Sequence, residues 1–122
     1  MQRKSSGSVR IFYPKFSQEE ILERIREVVN GLKDELGIEM VVLFGSYAKK
    51  IYTVASDVDI LVVYDDEKSD NDLVYKRLMK HLKIPRAELH IFSKKEYGNI
   101  RGSMWIKTIE TEGVKIINAS YS

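Results

Sequence analysis

A small mixed β-sheet with helices packed on it, an α+β domain, is the fold that these 122 residues predict. Three observations lead there. Apolar residues recur at 3.6-residue spacing in some stretches and crowd into β-branched runs in others. Capping residues stand where the helical stretches open, and the strand-like runs are too apolar to leave one face in water. Such elements bury their apolar sides against one another, and a chain of this length buries roughly two-thirds of its unfolded surface, enough for a single core. The expected organisation is one domain over residues 17–118, with 1–16 a polar tail and short extended arm and 119–122 a closing tail.

The arm is Val9 to Phe12, stopped by Pro14, which has no amide proton for a ladder. The first helix opens at Ser17: Ser17 and Glu20 have capping-box spacing, and Phe16 and Ile21 stand where a hydrophobic staple would. Its apolar stripe, Ile21, Leu22, Ile25, Val28, Val29, Leu32 and Leu36, ends at Gly37, a C′ glycine. Ile38–Phe44 then reads as an interior strand, closed by Gly45-Ser46, with a short helix over 47–51. A second strand covers 56–64, and an acidic loop leads to a helix capped by Ser69 or Asp70 that runs through Val74, Leu78 and Leu82. After Pro85 comes a third strand over 87–92. Ser93 and Glu96 repeat the capping-box spacing ahead of a helical segment interrupted by Gly98 to Gly102. A last helix from Ser103 stops at Gly113, and 114–117 forms an edge strand.

Composition narrows the function. There is no cysteine, which excludes disulfides, thiolate metal sites and cysteine nucleophiles and suits a reducing cytoplasm. No apolar run approaches the ~20 residues that span a bilayer, and the basic start lacks a signal-peptide core, so no membrane association is expected. Lys and Arg number 20 against 18 Asp and Glu, a balance of +2 that is too even for a dedicated nucleic-acid binder.

The chemistry concentrates in residues 43–63, LFGSYAKKIYTVASDVDILVV. Alternation along a strand puts Asp57 and Asp59 on one face, about 6.5–7 Å apart along the backbone. Two carboxylates amid Val58, Ile60, Leu61 and Val62 call for a positive charge between them, and a divalent metal with oxygen ligands supplies it. Gly45-Ser46, between a strand and a helix, offers backbone N–H groups to phosphate oxygens, and Lys49 and Lys50 add charge one turn on. An anion cradle beside paired carboxylates is what transfer of a nucleoside phosphate requires.

Ten residues separate Ser46 from Asp57, so the segment reads G-S-x10-D-x-D. It resembles the signature of the DNA polymerase β-like nucleotidyltransferases, and within them the minimal nucleotidyltransferases. That resemblance implies a nucleotidyltransferase fold in which Asp57, Asp59 and a third carboxylate, here Glu88, bind two Mg²⁺ or Mn²⁺ ions, with Gly45, Ser46, Lys49 and Lys50 on the nucleotide. It implies attack by an acceptor hydroxyl on the α-phosphate of an NTP, with AMP as the group moved and pyrophosphate leaving. It also implies an acceptor on a HEPN-type helical partner, this chain being the antitoxin of a toxin–antitoxin pair; assembly with its own copies is a further possibility. Two departures stand out: Glu88 where the family more often has Asp, and Lys49-Lys50 where many members have Arg-Gly, which keeps charge but loses the guanidinium fork.

Rival readings are a non-catalytic module that neutralises its partner by contact alone, and a transferase acting on a small molecule or an RNA end. His90, on the Glu88 face, reads as structural, and His81 as surface. Lys76, Arg77, Lys80, Lys83 and Arg86 read as a solvated face, and Trp105 with Ile106 and Ile109 as core. Tyr47 and Tyr52 flank the site, either one placed to stack on a base.

Overall fold

The computed structural model describes residues 16–53 and 55–118; the expected arm, the Met1–Ser8 tail and the 119–122 tail lie outside them. Four strands, β1 (Ile38–Phe44), β2 (Val58–Tyr64), β3 (Ala87–Ser93) and β4 (Val114–Asn118), form one sheet in the order β3-β2-β1-β4. β1 is antiparallel to β2 and β4, whereas β2 and β3 run parallel, so the sheet is mixed. Five helices complete the chain: α1 (Gln18–Leu36), α2 (Ser46–Lys49), α3 (Asn71–Leu82), α4 (Lys94–Ile100) and α5 (Met104–Glu112).

The sheet is covered on both faces, which is why β1 and β2 are apolar at nearly every position. Val41, Leu43, Ile60 and Val62 pack with Ile21, Ile25 and Val29 of α1 and Val74 and Leu78 of α3. Their neighbours Met40, Val42, Leu61 and Val63 pack on the other side with Tyr97 of α4 and Ile106 and Ile109 of α5. Both expected capping boxes form, at Ser17/Glu20 and Ser93/Glu96, and Asp70 caps α3 by accepting from the Leu73 amide. Gly37 ends α1 at φ 71°, in the left-handed region that a Cβ disfavours.

Two expectations change. α4 continues through Gly98 to Ile100, because Tyr97 is buried against the sheet and anchors the turn that the glycine weakens. β2 begins at Val58, leaving 56 and 57 outside the ladder. Gly113 is required for space and not for backbone angle: at φ −79° a Cβ would stand 2.5 Å from Val42 Cγ1 and 2.6 Å from the Ile109 carbonyl oxygen. Gly113→Ala should therefore cost about 1–3 kcal/mol of stability, read as a lower urea midpoint at unchanged slope. Among the described residues no helix is long and apolar enough to cross a membrane.

Candidate active site

The Gly45 turn and the Asp59 carboxylate are built as one unit. β1 and β2 pair Phe44 with Asp59, so the turn after Phe44 lies directly against that side chain. Gly45 has φ 77° and ψ −151°, a region essentially reserved for glycine. A Cβ there would stand 2.5 Å from Asp59 Oδ2. The glycine therefore makes room for a carboxylate of this chain, besides any space it leaves for a phosphate.

Behind the turn, α2 is tied to the start of α1. The buried Gln18 amide donates to the Tyr47 and Ala48 carbonyls at 2.9 and 3.1 Å, and the Tyr47 hydroxyl donates to the Phe16 carbonyl at 3.0 Å. The Tyr52 hydroxyl accepts from the Gln18 backbone N–H at 3.1 Å. Burial pushes the Tyr47 hydroxyl above the usual tyrosine range, with the Tyr52 and Glu20 charges adding to it, so it stays protonated as a donor. The two tyrosine rings stack on each other, 4.0 Å apart and 5° from parallel. Buried Tyr47 is therefore not left for a base; it is a strut that holds the Gly45-Ser46 turn, with Tyr52 stacked on it.

The carboxylates converge differently from the sequence pattern. In the parallel β2/β3 pair Asp59 lies opposite Glu88, and His90 is two residues on along the same face of β3. One ligand atom from each of Asp59, Glu88 and His90 falls within 4.8 Å of the others. His90 Nε2 is 3.6 Å from Asp59 Oδ1 and 3.6 Å from Glu88 Oε1. Asp57 is not in this group. Lying before the first ladder residue of β2, it pairs through Oδ1 with Arg86 Nε at 3.3 Å.

The expected nucleotide lysines are both near the turn and both engaged: Lys49 Nζ is 3.0 Å from Glu112 and Lys50 Nζ 3.8 Å from Glu19. Three of the basic residues read as a solvated face, Lys76, Arg77 and Arg86, each meet a different carboxylate. Arg77 forks onto Glu35 at 2.5 and 3.1 Å, and Lys76 meets Asp72 at 3.0 Å. Arg77's hydrogen bond and charge hold the Glu35 carboxyl below the usual range, so what this pair adds to stability is present above that range and lost as pH falls through the lowered value.

Trp105 belongs to the site and not to the core. It is 43% exposed and sits edge-on to the rings of Phe44, His90 and Phe92, at 6.0, 5.7 and 6.1 Å. A cleft of about 120 Å³ beside them is lined by Phe44, Gly45 and Lys49 on one side and Trp105, Thr108 and Glu112 on the other. Larger hollows of about 220 and 330 Å³ run along α1 and are lined by none of Asp59, Glu88 and His90, so chemistry and not size marks the site. His90 and Trp105, expected to be structural and core, are the residues that the structure adds beside the carboxylates. Strand alternation had put His90 beside Glu88; no local signal placed Trp105 there.

A mixed sheet that delivers a glycine–serine turn and a carboxylate cluster to one end is a domain with the nucleotidyltransferase fold. The chain belongs to the nucleotidyltransferase domain family, whose model matches residues 25–110, and it is a nucleotidyltransferase enzyme. It is similar to the protein named putative protein adenylyltransferase MJ1379 of Methanocaldococcus jannaschii, at 35% identity over 66% of this chain and 81% of that one. Among solved structures it resembles a putative nucleotidyltransferase from Sulfolobus solfataricus, with TM-score 0.50 at 20% identity over 94% of this chain and 90% of that one. A chain from the crystal structure of a toxin–antitoxin with AMP-PNP gives TM-score 0.53 at 20% identity, over 81% of this chain and 74% of that one.

Proposed function

We propose that this protein moves AMP from ATP onto a hydroxyl of a partner protein, a HEPN-type helical toxin for which it is the antitoxin in the cytoplasm. The observation that carries this reading is the convergence of Asp59 and Glu88, from adjacent parallel strands, on the place where the Gly45 turn is packed. The similarity to a protein named as an adenylyltransferase supports the AMP group, and the likeness in fold to a toxin–antitoxin chain is consistent with the partner.

The donor set fits a divalent cation. Two carboxylates and a histidine lie within 4.8 Å of one another, and the His90 Nε2 is buried without a hydrogen-bond partner among the described residues. Asp59 and Glu88, with Asp57 once released from Arg86, would hold Mg²⁺ or Mn²⁺, which when bound neutralises phosphate charge around the reacting phosphorus. The turn at Gly45 and Ser46 presents its N–H groups to the β and γ phosphates. Lys49 and Lys50 can follow, since each gives up only an exposed ion pair, a contact worth about 0–1 kcal/mol. The acceptor hydroxyl attacks the α-phosphorus in line as the bond to the bridging oxygen of pyrophosphate breaks, and its proton passes toward Glu88.

Two measurements test this. ATP with Mg²⁺ or Mn²⁺ should raise the unfolding free energy by about 2.7 kcal/mol at a hundred times its Kd, and ATP without metal should raise it much less. Incubation with α-labelled ATP, metal and a HEPN-type partner should label the partner. Tight partner binding with no transfer from any NTP would favour the contact-only module instead.

A further inference from the structure

We propose that His90 is a direct ligand of the same cation site as Asp59 and Glu88, so that the site prefers a first-row transition ion, Mn²⁺ or Co²⁺, over Mg²⁺. The inference rests on the metal reading above and goes beyond it by naming the ligand that sets the choice of ion.

Its basis is the geometry around one atom. His90 Nε2 stands 3.6 Å from both an Asp59 and a Glu88 oxygen. That is too long for a hydrogen bond, yet close to the roughly 3–3.5 Å that separates two ligand atoms each about 2.1 Å from a shared ion. Nε2 is buried and has no hydrogen-bond partner among the described residues, although 29% of the side chain is exposed. A polar nitrogen in that state costs free energy until something meets its lone pair.

Aromatic packing flanks the ring, and among the described residues no hydrogen bond holds it. Phe44 lies 5.2 Å from it, tilted by 58°, and Trp105 lies 5.7 Å away at 61°. Glu88 and His90 are two residues apart on β3 and Asp59 is held in register across from Glu88, so the three donors sit on a hydrogen-bonded ladder. The neighbouring cations are engaged with other carboxylates, Lys49 with Glu112 and Arg86 with Asp57. Mg²⁺ takes oxygen ligands and gives up its waters reluctantly. Imidazole nitrogen suits transition ions, so a mixed nitrogen and oxygen set shifts the balance toward them.

The test uses the full chain, alone and with a non-hydrolysable ATP analogue. Mn²⁺ bound to the wild type should show, in pulsed electron paramagnetic resonance, the ¹⁴N coupling of a directly bound imidazole, and His90→Gln should abolish it. By titration calorimetry, His90→Gln should shrink the Mn²⁺-over-Mg²⁺ affinity ratio by about tenfold or more, since even outer partners of a ligand are worth 10–100-fold. Bound Mn²⁺ without ¹⁴N coupling would overturn the proposal, and that measurement needs only the wild type should the variant fold poorly. An affinity ratio unchanged in a folded His90→Gln would overturn it too. Binding of neither ion by the wild type, with or without the analogue, would instead overturn the metal reading itself.

Discussion

Asp59→Asn is expected to lower nucleotide transfer by about a thousandfold or more, the several kcal/mol that charge stabilisation by a bound metal supplies, while the chain stays folded. The substitution preserves the size and planarity of the side chain and removes only its charge. Asp59 links three parts of the site: it is opposite Glu88, 3.6 Å from His90 Nε2, and packed against the Gly45 turn. Its side chain is 25% exposed and its pairing with His90 is long, so the stability change should stay within about 1 kcal/mol. Single-turnover transfer of α-labelled ATP, beside a urea titration of the same preparation, separates the two effects. Transfer at the wild-type rate would remove Asp59 from the catalytic set.

Gly45→Ala is expected to damage stability and activity for different reasons. A non-glycine residue at φ 77° and ψ −151° carries backbone strain of about 1–3 kcal/mol. The atom that the new Cβ meets is the far end of the Asp59 side chain, 2.5 Å away, which can rotate aside at little cost in stability. Rotation takes that carboxylate away from Glu88 and His90, and a displacement of about 1 Å in a catalytic group costs on the order of a hundredfold in rate. The expected signature is a modest fall in urea midpoint with a disproportionate loss of transfer. Loss of stability with transfer intact would show that the glycine serves only the backbone.

Much of the fold was legible because its signals are local. Ser17/Glu20, Asp70 and Ser93/Glu96 start helices wherever their spacing occurs, because a side-chain oxygen meets an amide three residues on. β1 and β2 announced burial on both faces through unbroken apolar runs. The Gly45 turn was marked by its residue types and by the spacing to Asp57. The end of α4 is not a local property, since whether a helix tolerates Gly98 depends on what Tyr97 packs against, and that lies elsewhere in the chain.

By itself the sequence determined the kind of elements, their order, and the segment on which the chemistry would stand, since caps, periodicity and turns act over three or four residues. Which residues share the carboxylate cluster was decided by tertiary structure. Asp57 and Asp59 are neighbours in sequence, but the ladder begins between them, and Arg86 draws Asp57 to one side while β3 brings Glu88 and His90 up to Asp59. Trp105, edge-on to His90, arrives from α5. Strand register is set by pairing between residues 15 or more positions apart, where one alternation can be paired with another in several ways, and only the closed core selects among them.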